Sequence, residues 1–244
     1  MAVLVTRPQP DADATAAALR ARGLEVMSAP MLRLEPLPFH EDDTPYGAVI
    51  VTSANALRAI DGQLDGSALL KLQLFAVGEH TAEAARQAGF TKVIAGGGDA
   101  SALGDAIVER AKARKLKKKN PLLYLAGADL ARDLAAELGE KGFSVVTQTT
   151  YRMTPAKTLP REVCEAFAAG GIEAVLHYSR RSARTFLDAA RDGGVEITAL
   201  ALPQCCISPA VAAVFREAGA AQVAVAETPD EKALFEALNR ALRA

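Results

Sequence analysis

The chain has 244 residues, half of them apolar and 23% charged, with a formal net charge of −1. That length suits one large domain or two of roughly 120 residues, and the composition is that of an ordinary globular protein. A near-neutral balance supplies no field to recruit nucleic acid or an anionic membrane, and no apolar run approaches the ~18–20 residues of a spanning helix.

The opening MAVLVTRP lacks the charged lead and long apolar core of a signal peptide, so a cytoplasmic location is expected. Within it, VLVT (Val3–Thr6) reads as a buried strand. DADATAAALRAR follows as a helix with aspartate caps, stopping at Gly23 before LEVM resumes as strand. The proline-bearing MLRLEPLPF is expected to be an extended connector. VIVTSAN (Val49–Asn55) is an apolar run that halts abruptly at small hydroxyl residues, where a helix begins. LFAVGEHTAEAARQAGF repeats the strand–helix pattern, and TKVIAGGGDA follows it.

The basic run AKARKLKKKN (Ala111–Asn120) has no interleaved aromatic residues and reads as a solvated helix end with a connector. PLLYLAG then begins a second series: strand, helix to Gly142, strand, and the extended TTYRMTPA. AVLHYSRRS (Ala174–Ser182) echoes VIVTSAN and places Ser179 as Ser53 is placed. Gly23, Gly89, Gly142 and Gly219 each follow a helical run and precede an apolar one, the position of a helix C′ glycine. Alternation of this kind predicts parallel sheets covered by helices. The order of parts is the same in both halves, which predicts two similar α/β units.

In parallel α/β sheets ligands bind beyond the carboxyl ends of the strands, where helix N-termini gather and favour carboxylates or phosphates. Thr6-Arg7, Thr52-Ser53-Ala54-Asn55, Gly78 to Thr81, Gly127, Ser179 and Ser208-Pro209 all have that address. Each hydroxyl among them also suits a simple helix cap. Other chemistries are excluded by their missing patterns. There is no G-x-x-x-x-G-K-[ST], no G-x-G-x-x-G and no G-x-S-x-G. The histidines His40, His80 and His177 are isolated, with His177 expected as a packed, hydrogen-bonded strand residue. Cys164, Cys205 and Cys206 form no metal or redox spacing, and the last two are expected in a buried strand. The candidate site is rich in donors and poor in nucleophiles.

Nearly end to end, the sequence resembles the uroporphyrinogen-III synthase family. The resemblance rests on VTRP (Val5–Pro8), TSANA (Thr52–Ala56), VGEHTA (Val77–Ala82), Tyr151 in TTYR, the YS of HYSRRSARTF, and CISPAVAAVFREAG followed by VAVAETPDEKAL. It implies two parallel-sheet, flavodoxin-like α/β domains joined by a two-stranded β linker, with a cleft between them. Residues 1–30 with 158–244 would form one domain and 40–146 the other, with 31–39 and 147–157 as linker strands.

The implied activity is that of a cyclising lyase of tetrapyrrole biosynthesis. It closes hydroxymethylbilane with loss of water and inversion of ring D, through an azafulvenium cation and a spiro intermediate, and needs no cofactor and no metal. Tyr151 would assist departure of the ring A hydroxyl, since a phenol titrating near ~10 is protonated at neutral pH. Thr6, Arg7, Thr52, Ser53, Asn55, Gly78, Thr81, Ser179, Ser208, Ala210 and Val211 would meet the substrate's carboxylate arms. Relatives carry a pattern like IGPTTA where this chain has Ser208-Pro209-Ala210-Val211, so only backbone N–H groups of Ala210 and Val211 are expected to act there. Arg152, Arg180 and Arg181 are also candidates for carboxylate pairing. The family works by motion between its two lobes, so a monomer acting on this small molecule is expected; the charge and composition predict no nucleic-acid or membrane partner. The alternative is a non-catalytic two-domain protein that binds a small anion or tetrapyrrole.

Overall fold

A computed structural model describes residues 1–113, 116, 119–130 and 132–243. Arg114, Lys115, Lys117 and Lys118 of the basic run lie outside the described residues. The strands are β1 (Ala2–Val5), β2 (Glu25–Ser28), β3 (Leu32–Pro36), β4 (Ala48–Val51), β5 (Gln73–Ala76), β6 (Lys92–Ala95), β7 (Leu122–Gly127), β8 (Val145–Pro155), β9 (Ile172–His177), β10 (Pro203–Cys206) and β11 (Gln222–Val225). The helices are α1 (Asp11–Arg20), α2 (Ala54–Arg58), α3 (Glu79–Gln87), α4 (Ala100–Lys112), α5 (Leu134–Glu140), α6 (Arg161–Ala168), α7 (Arg180–Asp192), α8 (Glu196–Ala201), α9 (Pro209–Glu217) and α10 (Glu231–Ala241).

The chain divides into two compact units. Met1–Arg33 with Thr154–Ala244 makes the terminal unit, and Leu34–Met153 makes the central unit. The terminal sheet has the order β11-β10-β9-β1-β2, with parallel pairs throughout. The central sheet has the order β3-β8-β7-β4-β5-β6, parallel from β8 to β6. The Leu37 N–H donates to the Thr150 carbonyl and that of Ala156 to the Met31 carbonyl. The partners therefore run in opposite directions, and β3 is antiparallel to β8.

Five parallel strands in each unit share one pattern of neighbours. Counted as β1, β2, β9, β10, β11 in one and β7, β8, β4, β5, β6 in the other, both read 2-1-3-4-5. That is the flavodoxin-like, doubly wound order. The repeat expected from the sequence is present, but its parts are exchanged. The first two strands of each half of the chain join the last three of the other half.

Burial explains why these runs become strands. All four residues of β4 are buried, as a parallel strand covered on both faces requires. Val49 and Val51 pack toward Leu57 of α2 and Ala82 of α3, whereas Ala48 and Ile50 pack toward Leu103 of α4 and Leu138 of α5. The terminal sheet is covered likewise, by Leu19 and Leu234 on one face and by Phe167, Phe186 and Phe215 on the other. The four expected C′ glycines all have positive φ, from 81° to 96°.

Two local expectations are corrected. The aspartates of the first helix do not cap it: Pro10 occupies the cap position without a side-chain bond, and Asp11 is already helical. The strand after Gly142 and the connector TTYRMTPA form one uninterrupted strand, the 11-residue β8. β8 lies between β3 and β7, which pair with its two opposite edges, so the backbone has no reason to break. Cys205 and Cys206 are buried in β10 as expected, and burial pushes both thiols up to about 12.

Candidate active site

In the 2-1-3-4-5 order, ligands gather where strand order reverses, beyond the carboxyl ends of strands 1 and 3. In the central unit these are β7 and β4, which end at Gly127 and at Thr52-Ser53. A cavity of about 280 Å³ lies there, lined among others by Thr52, Ser53, Tyr124, Gly127, Arg132 and Tyr151. A larger hollow of about 420 Å³ is lined by residues of α2, the turn after it and α3, including Arg58, Asp61, His80 and Glu83. It holds neither a phenol nor a strand-end hydroxyl, so the smaller cavity is the candidate.

Tyr151 is placed by the backbone. The β7–β8 register shifts between Ala126 and Gly127, which brings Gly127 opposite Tyr151, and the Ala128 N–H donates to the Tyr151 carbonyl over 2.8 Å. The preceding Thr150 is fully buried, with its hydroxyl donating to the Ala56 carbonyl over 3.2 Å. Gly127 leaves the space for the ring, because a Cβ there would stand 2.6 Å from Tyr151 Cζ. Tyr124, 2% exposed, reaches the same cavity with its hydroxyl, which lies 2.9 Å from Thr52 Oγ1. Burial is the first cause raising the Tyr124 phenol above its ordinary value.

The short helix after β4 departs from expectation. TSANAL makes only five helical residues, too few for an appreciable dipole at its start. What remains are side chains. Ser53 caps α2 by accepting from the Asn55 N–H at 3.3 Å, and the Asn55 side chain accepts from Arg58 Nη1 at 3.0 Å. Gly78 is the N-cap of α3 in extended backbone, and Thr81 is buried in its first turn. Neither lines the cavity. Arg152 is held in a bidentate pair with Glu35, at 2.7 and 2.9 Å.

In the terminal unit the equivalent strands are β1 and β9, and the residues just beyond them bond to one another. Thr6 is fully buried, and its hydroxyl bonds the Leu176 carbonyl at 2.7 Å and faces His177 Nδ1 at 3.2 Å. Arg7 reaches Asp11 Oδ2 at 3.1 Å through Nη2, and Thr15 Oγ1 and Glu231 Oε1 at 3.1 and 3.2 Å through Nη1. Its guanidinium lies 4.2 Å from the centre of the Tyr178 ring. Thr15 and Tyr178 donate to the same Glu231 oxygen at 2.5 and 2.9 Å. The carboxylate partner expected for Arg7 is thus supplied by the chain itself.

Ser179 caps α7 by accepting from the Ser182 N–H at 3.1 Å, and Ser208 caps α9 by accepting from the Val211 N–H at 3.4 Å. That bond occupies the Val211 amide, one of the two donors expected for a carboxylate. Ala210 lies in the first turn of α9. His177 is packed in the core, 4.1 and 5.2 Å from the ring centres of Phe215 and Phe186, with Nε2 on Gln204 Oε1 at 2.9 Å. Desolvation holds its pKa down to about 3, so the ring is neutral.

Sequence reasoning passed over Tyr124, Thr150 and Arg132. PLLYLAG reads as a buried strand, and the one available signal is a polar-tipped aromatic near its carboxyl end, which needs a partner for its hydroxyl. Thr150 and Arg132 carry no such signal.

The two-unit fold has counterparts of known structure. Uroporphyrinogen-III synthetase from Helicobacter pylori superposes with a TM-score of 0.66 at 17% identity, covering 98% of each chain. A mutant uroporphyrinogen III synthase from Thermus thermophilus superposes with a TM-score of 0.56 at 18% identity, covering 100% of this chain and 99% of that one. At such identities the likeness establishes the fold. No curated protein matches the sequence. The family profile of uroporphyrinogen-III synthase HemD matches residues 13–236, nearly the whole chain, and the chain belongs to that family.

Proposed function

We propose that this chain closes hydroxymethylbilane to uroporphyrinogen III and that the cavity beyond β4 and β7 holds the reacting end of the substrate. The observation that carries the reading is the meeting of Tyr151, Gly127, Thr52 and Ser53 at the strand-order reversal of the central sheet. A volume of about 280 Å³ is at the small end for ligand sites and suits one pyrrole ring with its acid arms better than four.

In this reading the Tyr151 phenol donates to the departing ring A hydroxyl. The C–O bond breaks with the pyrrole nitrogen supplying the electron pair, which gives the azafulvenium cation and water. Ring D then attacks at its substituted carbon, the spiro intermediate fragments and recloses inverted, and the proton lost as ring D becomes aromatic again restores the phenol. No strong nucleophile is required. The protein's part is to hold a flexible, self-reactive chain in one pose, an effect worth up to ~7–11 kcal/mol in favourable cases. Thr52 and Ser53 meet carboxylate arms in the central unit. Ser179, Ser208 and the amide of Ala210 do so in the terminal unit, while Thr6, Arg7, Asn55, Gly78, Thr81 and Val211 shape these turns.

We infer further that the protein acts as a cytoplasmic monomer. A net charge of −1 and the lack, among the described residues, of any helix long and apolar enough to cross a membrane are compatible with this.

The test is isomer analysis. Freshly made hydroxymethylbilane closes unaided to the type I isomer, so formation of type III by the purified protein supports the reading and type I alone defeats it. Tyr151→Phe is expected to slow type III formation about 10²-fold or more with the fold intact, the usual scale for losing a proton donor.

A further inference from the structure

We propose that Tyr124 is a positioning residue for this reaction: its buried phenol donates to Thr52 Oγ1 and so turns the Thr52 hydroxyl proton toward a carboxylate arm in the cavity. The proposal rests on the reading of that cavity given above.

Tyr124 lies within β7, and its ring packs with Ile50, Phe75, Leu103 and Leu138. Only its hydroxyl reaches the polar end of the sheet. A buried phenolic oxygen needs a partner, and Thr52 Oγ1 supplies it at 2.9 Å. Both groups are hydroxyls, so acidity decides which one donates. A phenol titrates near ~10 and an aliphatic alcohol far higher, so the tyrosine proton lies between the two oxygens. Burial raises the phenol further, which keeps that proton in place at neutral pH.

The consequence falls on Thr52. Its oxygen accepts from Tyr124, and among the described residues it has no other hydrogen-bond partner. Thr52 is only partly buried and lines the cavity. Its own proton is therefore the group offered to a ligand, on a β-branched side chain with few rotamers. Without Tyr124 the same hydroxyl would rotate freely and present a lone pair as readily as a proton. An anion is met well by a donor and poorly by a lone pair.

Two substitutions and their combination test this. Tyr124→Phe removes one oxygen from a ring that keeps its packing. It is expected to raise KM for hydroxymethylbilane about fivefold, the scale of one hydrogen bond, with kcat within about twofold. Thr52→Val should raise KM at least as much, Thr52→Ser should retain wild-type KM, and Tyr124→Phe should add nothing in the Thr52→Val background. Binding of uroporphyrin III, the fluorescent oxidised form of the product, should follow the same pattern without turnover.

A lower Tm in Tyr124→Phe with unchanged KM and unchanged porphyrin binding would make Tyr124 structural and overturn the proposal. Additive effects of the two substitutions would overturn it too. If Thr52→Val leaves both readouts unchanged while type III is still formed, the Thr52 contact and this proposal fall and the synthase reading stands. If the wild type forms only type I, the synthase reading falls, and the pattern of porphyrin binding alone decides for or against the Tyr124–Thr52 pair.

Discussion

Tyr151 packs against the bare Cα of Gly127: a methyl group built on that glycine would lie 2.6 Å from Cζ of the ring and 2.8 Å from its hydroxyl oxygen. Carbon atoms in contact sit ~3.5–4.0 Å apart, so any side chain at 127 must push the phenol from its place. Gly127→Ala is therefore expected to lose ~1–3 kcal/mol of stability and to slow type III formation at least about tenfold. In a Tyr151→Ala background the same substitution should be nearly neutral. Thermal unfolding of the four proteins checks this, and equal losses in both backgrounds would show that Gly127 serves something other than the ring.

The Arg7–Glu231 pair predicts a different outcome at the other strand ends. Three donors converge on Glu231 Oε1, and they join the turn after β1 to the first turn of α10. Arg7→Ala and Glu231→Ala should each cost ~1–3 kcal/mol, because each removes a charge-assisted bond and leaves a partly buried charge with one partner fewer. The double variant should lose much less than the sum, and KM should stay within about threefold. A tenfold rise in KM at unchanged stability would return Arg7 to the substrate.

His177 makes stability depend on pH above the carboxylate range. The folded ring titrates at about 3 and an unfolded histidine near 6.5, so below 6.5 the unfolded chain takes up a proton that the folded chain refuses. Stability is complete above pH ~6.5 and falls as pH drops toward 3, by up to ~5 kcal/mol in all. Between pH ~6.5 and ~5, where carboxylates barely titrate, the slope approaches ~1.4 kcal/mol per pH unit. Denaturant unfolding in that window should show this slope in the wild type and a much flatter one in His177→Gln. Equal slopes would mean that the buried ring gains its proton without unfolding.

Cap substitutions separate the two roles open to the strand-end serines. Ser179→Ala and Ser208→Ala should each lose ~1 kcal/mol, as the Ser182 and Val211 amides lose their acceptor. Because both serines also face a carboxylate arm in the proposed reading, KM should rise severalfold in each. Ser67, which accepts from the Leu69 N–H at 3.0 Å just before β5, lies at the opposite end of its strand and serves as the control. Ser67→Ala should lose stability with KM unchanged. The serines act only as caps if all three variants behave alike.

Much of this was legible in the order of residues. Strand and helix alternation, the C′ glycines, the two similar halves and the strand-end address of Ser53 and Ser179 follow from local periodicity and turn chemistry, which depend on near neighbours in sequence. The roles within those turns depend on partners far along the chain. Arg7 looked free for a ligand until α10 brought Glu231 to it across 224 positions. Tyr124 looked like strand core until the β4–β7 pairing set its hydroxyl beside Thr52. Gly127 acquired its purpose only when a register shift in the β7–β8 ladder laid Tyr151 over it. The exchange of strand pairs between the halves likewise came from tertiary pairing, because a parallel strand gains the same burial beside either equivalent neighbour. Sequence determined which segments form strands and where each strand ends, since those are local choices. Tertiary structure decided which strand ends meet, because hydrogen-bond partners and packing space exist only once distant segments are side by side.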